Sequence, residues 1–422
     1  MTKADVLVVG AGLAGLSCAL DLREKGFSTL ILEASDGVGG RVRTDPVEGF
    51  LLERGCPHLL TAYPEAARRL DFKALDLRPL TPGAWVRHQG EFREILDPWH
   101  HPWRAVGGWS SRIGSLLDRM RFRSLQRDVL SCPTEQIFAR PETTASKLLN
   151  DIGISEPLLN QFLRPFFGQI FLEKELHSSS RMLEFVLQML ALGEMAVPAN
   201  GMGAIPEQLA RRLPEESVRL NARVAAAAPG YVALSSGEEL AARAVVVAAE
   251  EPEAARLTGA PPPSRSHSVI RLYYAAPEPP VNEPILVVNG NNQWPVNSLW
   301  VPSLAAPKCA PKGQALVAVT VLGRYGKPDE EIEAKTLEQL QRWFGAAVAG
   351  WRRLALLRIP YAQPDAVPPA IPLERRPVRL SAGLYVCGDH RENPSMEGAL
   401  VSGRRAAEAV AEDLAGGQSA GR

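Results

Sequence analysis

Short unbroken apolar runs mark both ends of the chain, and a helical pattern follows each. Near the start, Val6-Leu7-Val8-Val9 is the signature of a strand buried on both faces. Then come Gly10-Ala11-Gly12-Leu13-Ala14-Gly15, a helical pattern from Leu16 to Lys25, and a second apolar run, Thr29 to Leu32, that ends on Glu33. This order predicts a β-α-β unit with a glycine-rich first turn. Near the other end, Leu384-Tyr385-Val386-Cys387 predicts a strand closing on Gly388-Asp389. An alanine-rich helix follows from Glu397-Gly398-Ala399 through Gly403, and the small polar tail 416–422 is expected to be disordered.

The middle reads differently. Strand pieces from Ala84 to Phe92 give way to a helix over Ser111–Leu130, with Ile113, Leu116, Leu117, Met120, Leu125 and Val129 at helical spacing. That helix also carries Arg112, Arg119, Arg121, Arg123 and Arg127, so it either lies on a membrane or packs on its own domain with a solvated basic face. A helix over Met182–Leu192 leads to Pro198-Ala199-Asn200-Gly201-Met202-Gly203. Strands are expected at Val218–Val224, Tyr231–Leu234 and Ala244–Ala249. The proline-rich stretch from Gly259 to Ala370 predicts strands at Ser268–Tyr274, Ile285–Asn289 and Ala315–Leu322 and a helix at Glu330–Phe344.

Composition narrows the class. The 422 residues are 45% hydrophobic and carry 47 basic and 47 acidic side chains. A formal charge of zero offers nothing global to nucleic acid or an anionic surface. The five cysteines, Cys18, Cys56, Cys132, Cys309 and Cys387, are odd in number and dispersed. That pattern reads as reduced thiols in a cytoplasmic protein and gives no metal site. No signal-peptide pattern precedes the first strand, and no apolar run reaches spanning length.

The glycine turn carries chemistry. Gly10 permits the tight turn, Gly12 lets a pyrophosphate approach the backbone, and Gly15 lets the helix pack on the strand. The pyrophosphate then meets the positive helix N-terminus, and Glu33 can accept ribose hydroxyls. Gly39-Gly40-Arg41-Val42 adds two side-chain-free positions and a forked cationic donor.

Together, Gly10 to Gly15, Glu33 and Gly39-Gly40-Arg41 resemble the N-terminal fingerprint of the flavin-dependent amine oxidase superfamily. That group includes monoamine oxidases, protoporphyrinogen oxidases and carotenoid desaturases. Leu52-Glu53-Arg54-Gly55-Cys56-Pro57-His58 resembles the stretch near the flavin ring, and the Gly201-Met202 turn resembles the phytoene desaturase and protoporphyrinogen oxidase-like branch. The resemblance implies FAD, held without a covalent bond because the late Cys387 lies inside a strand. It implies an α/β fold: a Rossmann-like, glutathione-reductase-like FAD-binding domain with an inserted α+β substrate domain. The motifs sit at opposite ends, so the FAD-binding domain is expected to be discontinuous, over 1–75, 214–258 and 371–415, with 76–213 and 259–370 binding substrate.

The implied cofactor-binding residues are Gly10, Ala11, Gly12, Leu13, Ala14, Gly15, Glu33, Ala34, Gly39, Gly40, Arg41, Val42, Pro57, His58, Val224, Gly388, Asp389, Glu397, Gly398 and Ala399. In the family the backbone at the Val224 position contacts adenine, the aspartate at Asp389 holds the ribityl or phosphate portion, and the helix start at Gly398-Ala399 points at the pyrimidine edge. Gly201-x-Gly203 lacks a third glycine and a preceding buried strand, so no NAD(P)H domain is expected. Electrons would leave to an external acceptor such as oxygen or a quinone.

Catalytic side chains are hard to find. Amine oxidases of the family use a lysine that holds a water at flavin N5, and the candidates Lys308 and Lys312 lie in a proline-rich stretch. His58 and His390 follow flavin-proximal positions and are further candidates. His100-His101, flanked by Trp99 and Trp103, lacks metal partners and reads as surface or packing. Trp294, Trp300, Tyr273 and Tyr274 either line an aromatic cavity or fill a core. The favoured function is FAD-dependent dehydrogenation of an apolar polyene or porphyrinogen-like molecule by hydride transfer to flavin N5. Amine oxidation releasing hydrogen peroxide and FAD-dependent isomerisation without net redox change are the alternatives. Peripheral membrane contact stays open.

Overall fold

A computed structural model describes residues 4–96, 113–263, 265–369 and 376–419. The pair His100-His101, with Trp99, Trp103 and the expected helix start at Ser111-Arg112, lies outside the described residues.

The apolar run Val6–Val9 forms strand β1, whose four residues are all buried. Helix α1, Leu13–Glu24, follows it, and strand β2, Thr29–Leu32, runs parallel to β1 with Val6 opposite Thr29. The other side of β1 pairs in parallel with Ala244–Val247, which pairs in parallel with Leu384–Val386. One six-stranded sheet thus joins strands from the start, middle and end of the chain. Its edges are Val218–Arg219 beside β2 and the antiparallel Arg379–Ser381.

Both faces of this sheet are covered, as its five parallel strands require. On one face lie α1 and the helix Met396–Ser419, with Leu16, Leu20, Leu400 and Ala406 in one core with Val6 and Val8. The two helices approach closely because Gly403 has no side chain: a Cβ there would lie 2.2 Å from the Ala14 carbonyl oxygen. On the other face a three-stranded antiparallel sheet, Val224–Ala228, Tyr231–Leu234 and Glu239–Ala241, packs Val232 and Leu234 against Leu7, Val245 and Val386.

A second, seven-stranded mixed sheet runs in the order Arg352–Pro364, Ser266–Ala276, Ala315–Leu322, Ser298–Trp300, Leu286–Asn289, Gly83–His88, Glu91–Leu96. The helix Asp329–Phe344 covers one face through Ile332, Leu340 and Trp343. Tyr273, Tyr274 and Trp300 are fully buried within these cores.

Several boundaries differ from the sequence reading for local reasons. The expected strand Val218–Val224 is two strands in two sheets, split at Asn221, which takes a left-handed φ of 55°. The long basic helix begins at Leu116, fixed by a capping box in which Ser115 and Asp118 satisfy each other's backbone N–H groups. Its Phe122, Leu125 and Val129 are buried, whereas Leu116, Leu117 and Met120, read as part of the same apolar stripe, are exposed. The last helix continues to Ser419, four residues into the stretch expected to be a disordered tail. Among the described residues no helix is long and apolar enough to cross a membrane.

Candidate active site

The turn from β1 to α1 assigns each glycine a task. Gly10 has φ +108°, and a Cβ there would lie 2.8 Å from the Ala248 carbonyl oxygen. At Gly15 a Cβ would lie 2.0 Å from the Gly10 carbonyl oxygen, so any side chain would push helix and strand apart. Gly12 is different. A Cβ there meets nothing within 4 Å, because that direction opens into a cavity. Gly12 is also the N-cap of α1 and no side chain caps the helix, which leaves first-turn N–H groups for an anion.

The cavity encloses about 570 Å³. Its wall takes Gly10, Gly12, Leu13 and Ala14 from the first turn, Glu33 and Ala34 from the end of β2, and Gly39, Gly40, Arg41 and Val42 from the next loop. Pro57, His58, Val224, Gly388, Asp389 and Ala399 complete the part foreseen from sequence. At one end Glu33 accepts hydrogen bonds from the N–H of Ala11 at 2.7 Å and of Ser35 at 2.8 Å. At the seam between chain start and chain end, Arg41 Nη2 donates to Asp389 Oδ1 at 2.7 Å and Nη1 to the Ala362 carbonyl at 3.2 Å. Burial opposes the charge on Arg41, but the Asp389 carboxylate overcomes it and keeps the guanidinium firmly protonated.

Other residues expected in the site stand elsewhere. Ala11 and Gly15 lie behind the wall, in the turn's own packing. The Glu397 carboxylate accepts from the N–H groups of Glu65 at 2.7 Å and Ala66 at 3.1 Å, so it caps the short helix Pro64–Arg69. Gly398 is packed against the Asn393 backbone, where a Cβ would lie 1.9 Å from the carbonyl oxygen. His390 is buried and does not line the cavity, and burial pushes its pKa down to about 4. Lys308 is exposed and donates to Asn200 Oδ1 at 3.2 Å, and Lys312 is exposed as well; neither reaches the wall. Trp294, Trp300, Tyr273 and Tyr274 also stand off it.

His58 alone of the catalytic candidates reaches the cavity. Its ring leans on Trp300 at 4.5 Å between centroids, and burial lowers its pKa to about 3, so it is neutral at physiological pH. The wall beyond it was not foreseen: Tyr63, Gln169, Phe171, Met182, Val186 and Met195. All but Tyr63, which precedes the helix Pro64–Arg69, belong to helices and strands whose pattern says "buried" without saying against what. Arg271 is also on this wall. A lone arginine in the otherwise apolar strand Ser266–Ala276 is the signal in the sequence that marks it.

Below the wall, Glu53 is buried and accepts from Met202 N–H at 2.9 Å and Thr44 Oγ1–H at 2.7 Å. Burial nevertheless raises its pKa to about 7.

The sequence of the chain from residue 13 to 411 matches the family model described as flavin containing amine oxidoreductase. The chain belongs to that family. FAD is the cofactor of these oxidases. The residues present fit it: an open Gly12, an uncapped helix N-terminus on the cavity, and Gly40, whose Cβ would meet only the Gly12 Cα at 3.7 Å. Three known proteins show the breadth of the likeness. A 4,4'-diapolycopene oxygenase from Methylomonas sp. is 45% identical over 56 residues, 13% of this chain and 11% of that one. A coproporphyrinogen III oxidase from Propionibacterium freudenreichii subsp. freudenreichii is 28% identical over 126 residues, 27% of this chain and 24% of that one. The solved cyclohexylamine oxidase from Brevibacterium oxydans superposes with a TM-score of 0.69 at 18% identity, covering 98% of this chain and 100% of that one. The matched sequence thus spans only 11% to 24% of the two curated relatives, while the fold is shared end to end.

Proposed function

We propose that the chain is an FAD-dependent oxidoreductase that removes a hydride equivalent from a C–H bond of an apolar small molecule. One observation carries the reading: a single cavity joins the glycine cradle of α1 to a wall of Phe171, Met182, Val186 and Met195. A polar dinucleotide and an apolar substrate need these two surfaces in contact. FAD, held without a covalent link, would supply the two-electron acceptor, with oxygen or a quinone as the external oxidant. The chain's own part is to bind and orient. Gly12, Gly40 and the α1 N-terminus would hold the pyrophosphate, Glu33 the adenosine ribose, and Asp389 with Arg41 the linking portion. The apolar wall excludes water and positions the reacting carbon. Neutral His58 offers the inner cavity a hydrogen-bonding nitrogen without a charge.

Amine oxidation has less support, since neither Lys308 nor Lys312 reaches the cavity. The named relatives favour different substrates, a diapolycopene, a coproporphyrinogen and an amine, so the class is a matter for a panel. Under anaerobic conditions a polyene or porphyrinogen is expected to bleach the flavin while simple amines do not. Bleaching by amines alone would overturn the apolar-substrate reading.

A further inference from the structure

Arg271 is 2% exposed, yet among the described residues its guanidinium bonds only neutral acceptors. Its Nη1 donates to Thr320 Oγ1 at 2.6 Å and its Nη2 reaches the Gly55 carbonyl at 3.4 Å, while Nε has no acceptor. Glu53, the acidic group whose charge acts on Arg271, spends its carboxylate on Met202 and Thr44, and burial raises its pKa. A buried guanidinium held only by neutral groups is strongly unfavourable unless an anion completes it.

A second orphaned donor reaches the same face of the sheet. Ser298, Thr320 and Arg271 are directly opposite one another on three adjacent strands, so their side chains share one face. Gln169 Oε1 accepts from Ser298 Oγ–H, which leaves its Nε2 buried without a partner. Arg271 and Gln169 both line the cavity, and so does His58, whose Nε2 is also unpaired.

We propose that Arg271, with Gln169, is a specificity-determining anion seat, and that the substrate is an apolar molecule carrying a carboxylate. This rests on the reading of the cavity as a flavin and substrate site. A carboxylate suits the donors: it takes a charge-assisted bond from Arg271 and a neutral one from Gln169. It also disfavours amines as substrates, since a cation would enter beside a cation. Uncharged polyenes would leave both donors unsatisfied.

The test is ligand binding to the oxidised, FAD-loaded protein, followed by calorimetry and by perturbation of the flavin spectrum. Octanoate and benzoate are compared with octanol, benzyl alcohol and octylamine. The carboxylates are expected to bind at least about tenfold tighter than the neutral partners, a margin of about 1.4 kcal/mol. Arg271→Met removes that preference and Arg271→Lys keeps part of it. Should Arg271→Met not fold, Arg271→Gln gives the same contrast, since it keeps hydrogen bonding without charge. Equal affinity for carboxylates and alcohols overturns the proposal. So does a preference that survives Arg271→Met while the flavin midpoint potential moves, because the cation would then serve the cofactor. A protein that takes up no FAD fails the parent reading instead, which separates the two.

Discussion

Two glycines one turn apart on α1 make opposite demands on a side chain. At Gly15 a Cβ strikes backbone, so Gly15→Ala is expected to destabilise the fold by about 1–3 kcal/mol, read as a fall in denaturation midpoint. At Gly12 a Cβ enters open space, so Gly12→Val should fold with an unchanged midpoint and lose FAD affinity by at least about tenfold. If both variants lose stability alike, the cavity does not begin at Gly12. Glu53 makes a pH prediction. Its folded pKa of about 7 lies above its ordinary 4.5, because burial penalises the charged form. The folded state therefore binds the extra proton, and the stability it brings is full below 4.5 and is lost as pH rises through about 7. Melting temperatures of the wild type and Glu53→Gln should converge near pH 5 and separate toward pH 8, with the glutamine variant higher. A constant difference across that range would mean that Glu53 is ionised throughout.

Elements were legible wherever local pattern and tertiary role agree. Ala315–Leu322 has the bounds its apolar run predicts, because it is buried along its whole length. Val218–Val224 does not, because a left-handed Asn221 looks like any polar residue until its partners are known. The start of the last helix shows the same limit. Its glycines suggest an approach to a ligand, but Gly398 is taken by the Asn393 backbone, and Met396 and Ala399 are the helix residues that reach the cavity. Glu397 instead joins the last helix to the one at Pro64–Arg69 by capping it across the chain. Glu397→Ala frees two buried N–H groups and should cost about 1–2 kcal/mol in stability, checked by chemical denaturation. A loss of FAD affinity with stability unchanged would place Glu397 in the site instead.

At the scale of the molecule, the sheet that carries the glycine cradle takes strands from residues 6–9, 244–247 and 384–386. The motifs at the two ends were legible because backbone chemistry constrains them: a turn, a helix N-terminus and an acidic residue must recur in fixed order. The substrate end was not legible, because packing alone fixes which apolar residues face the cavity and which face the core. Arg41 and Asp389, 2.7 Å apart, are where the two ends of the chain meet at the cavity. The central claim is that they meet around one flavin. Titrating FAD into the folded, flavin-stripped protein measures this most directly. The account predicts a yellow complex that saturates at one FAD per chain, and a folded protein that stays colourless under saturating FAD would contradict it.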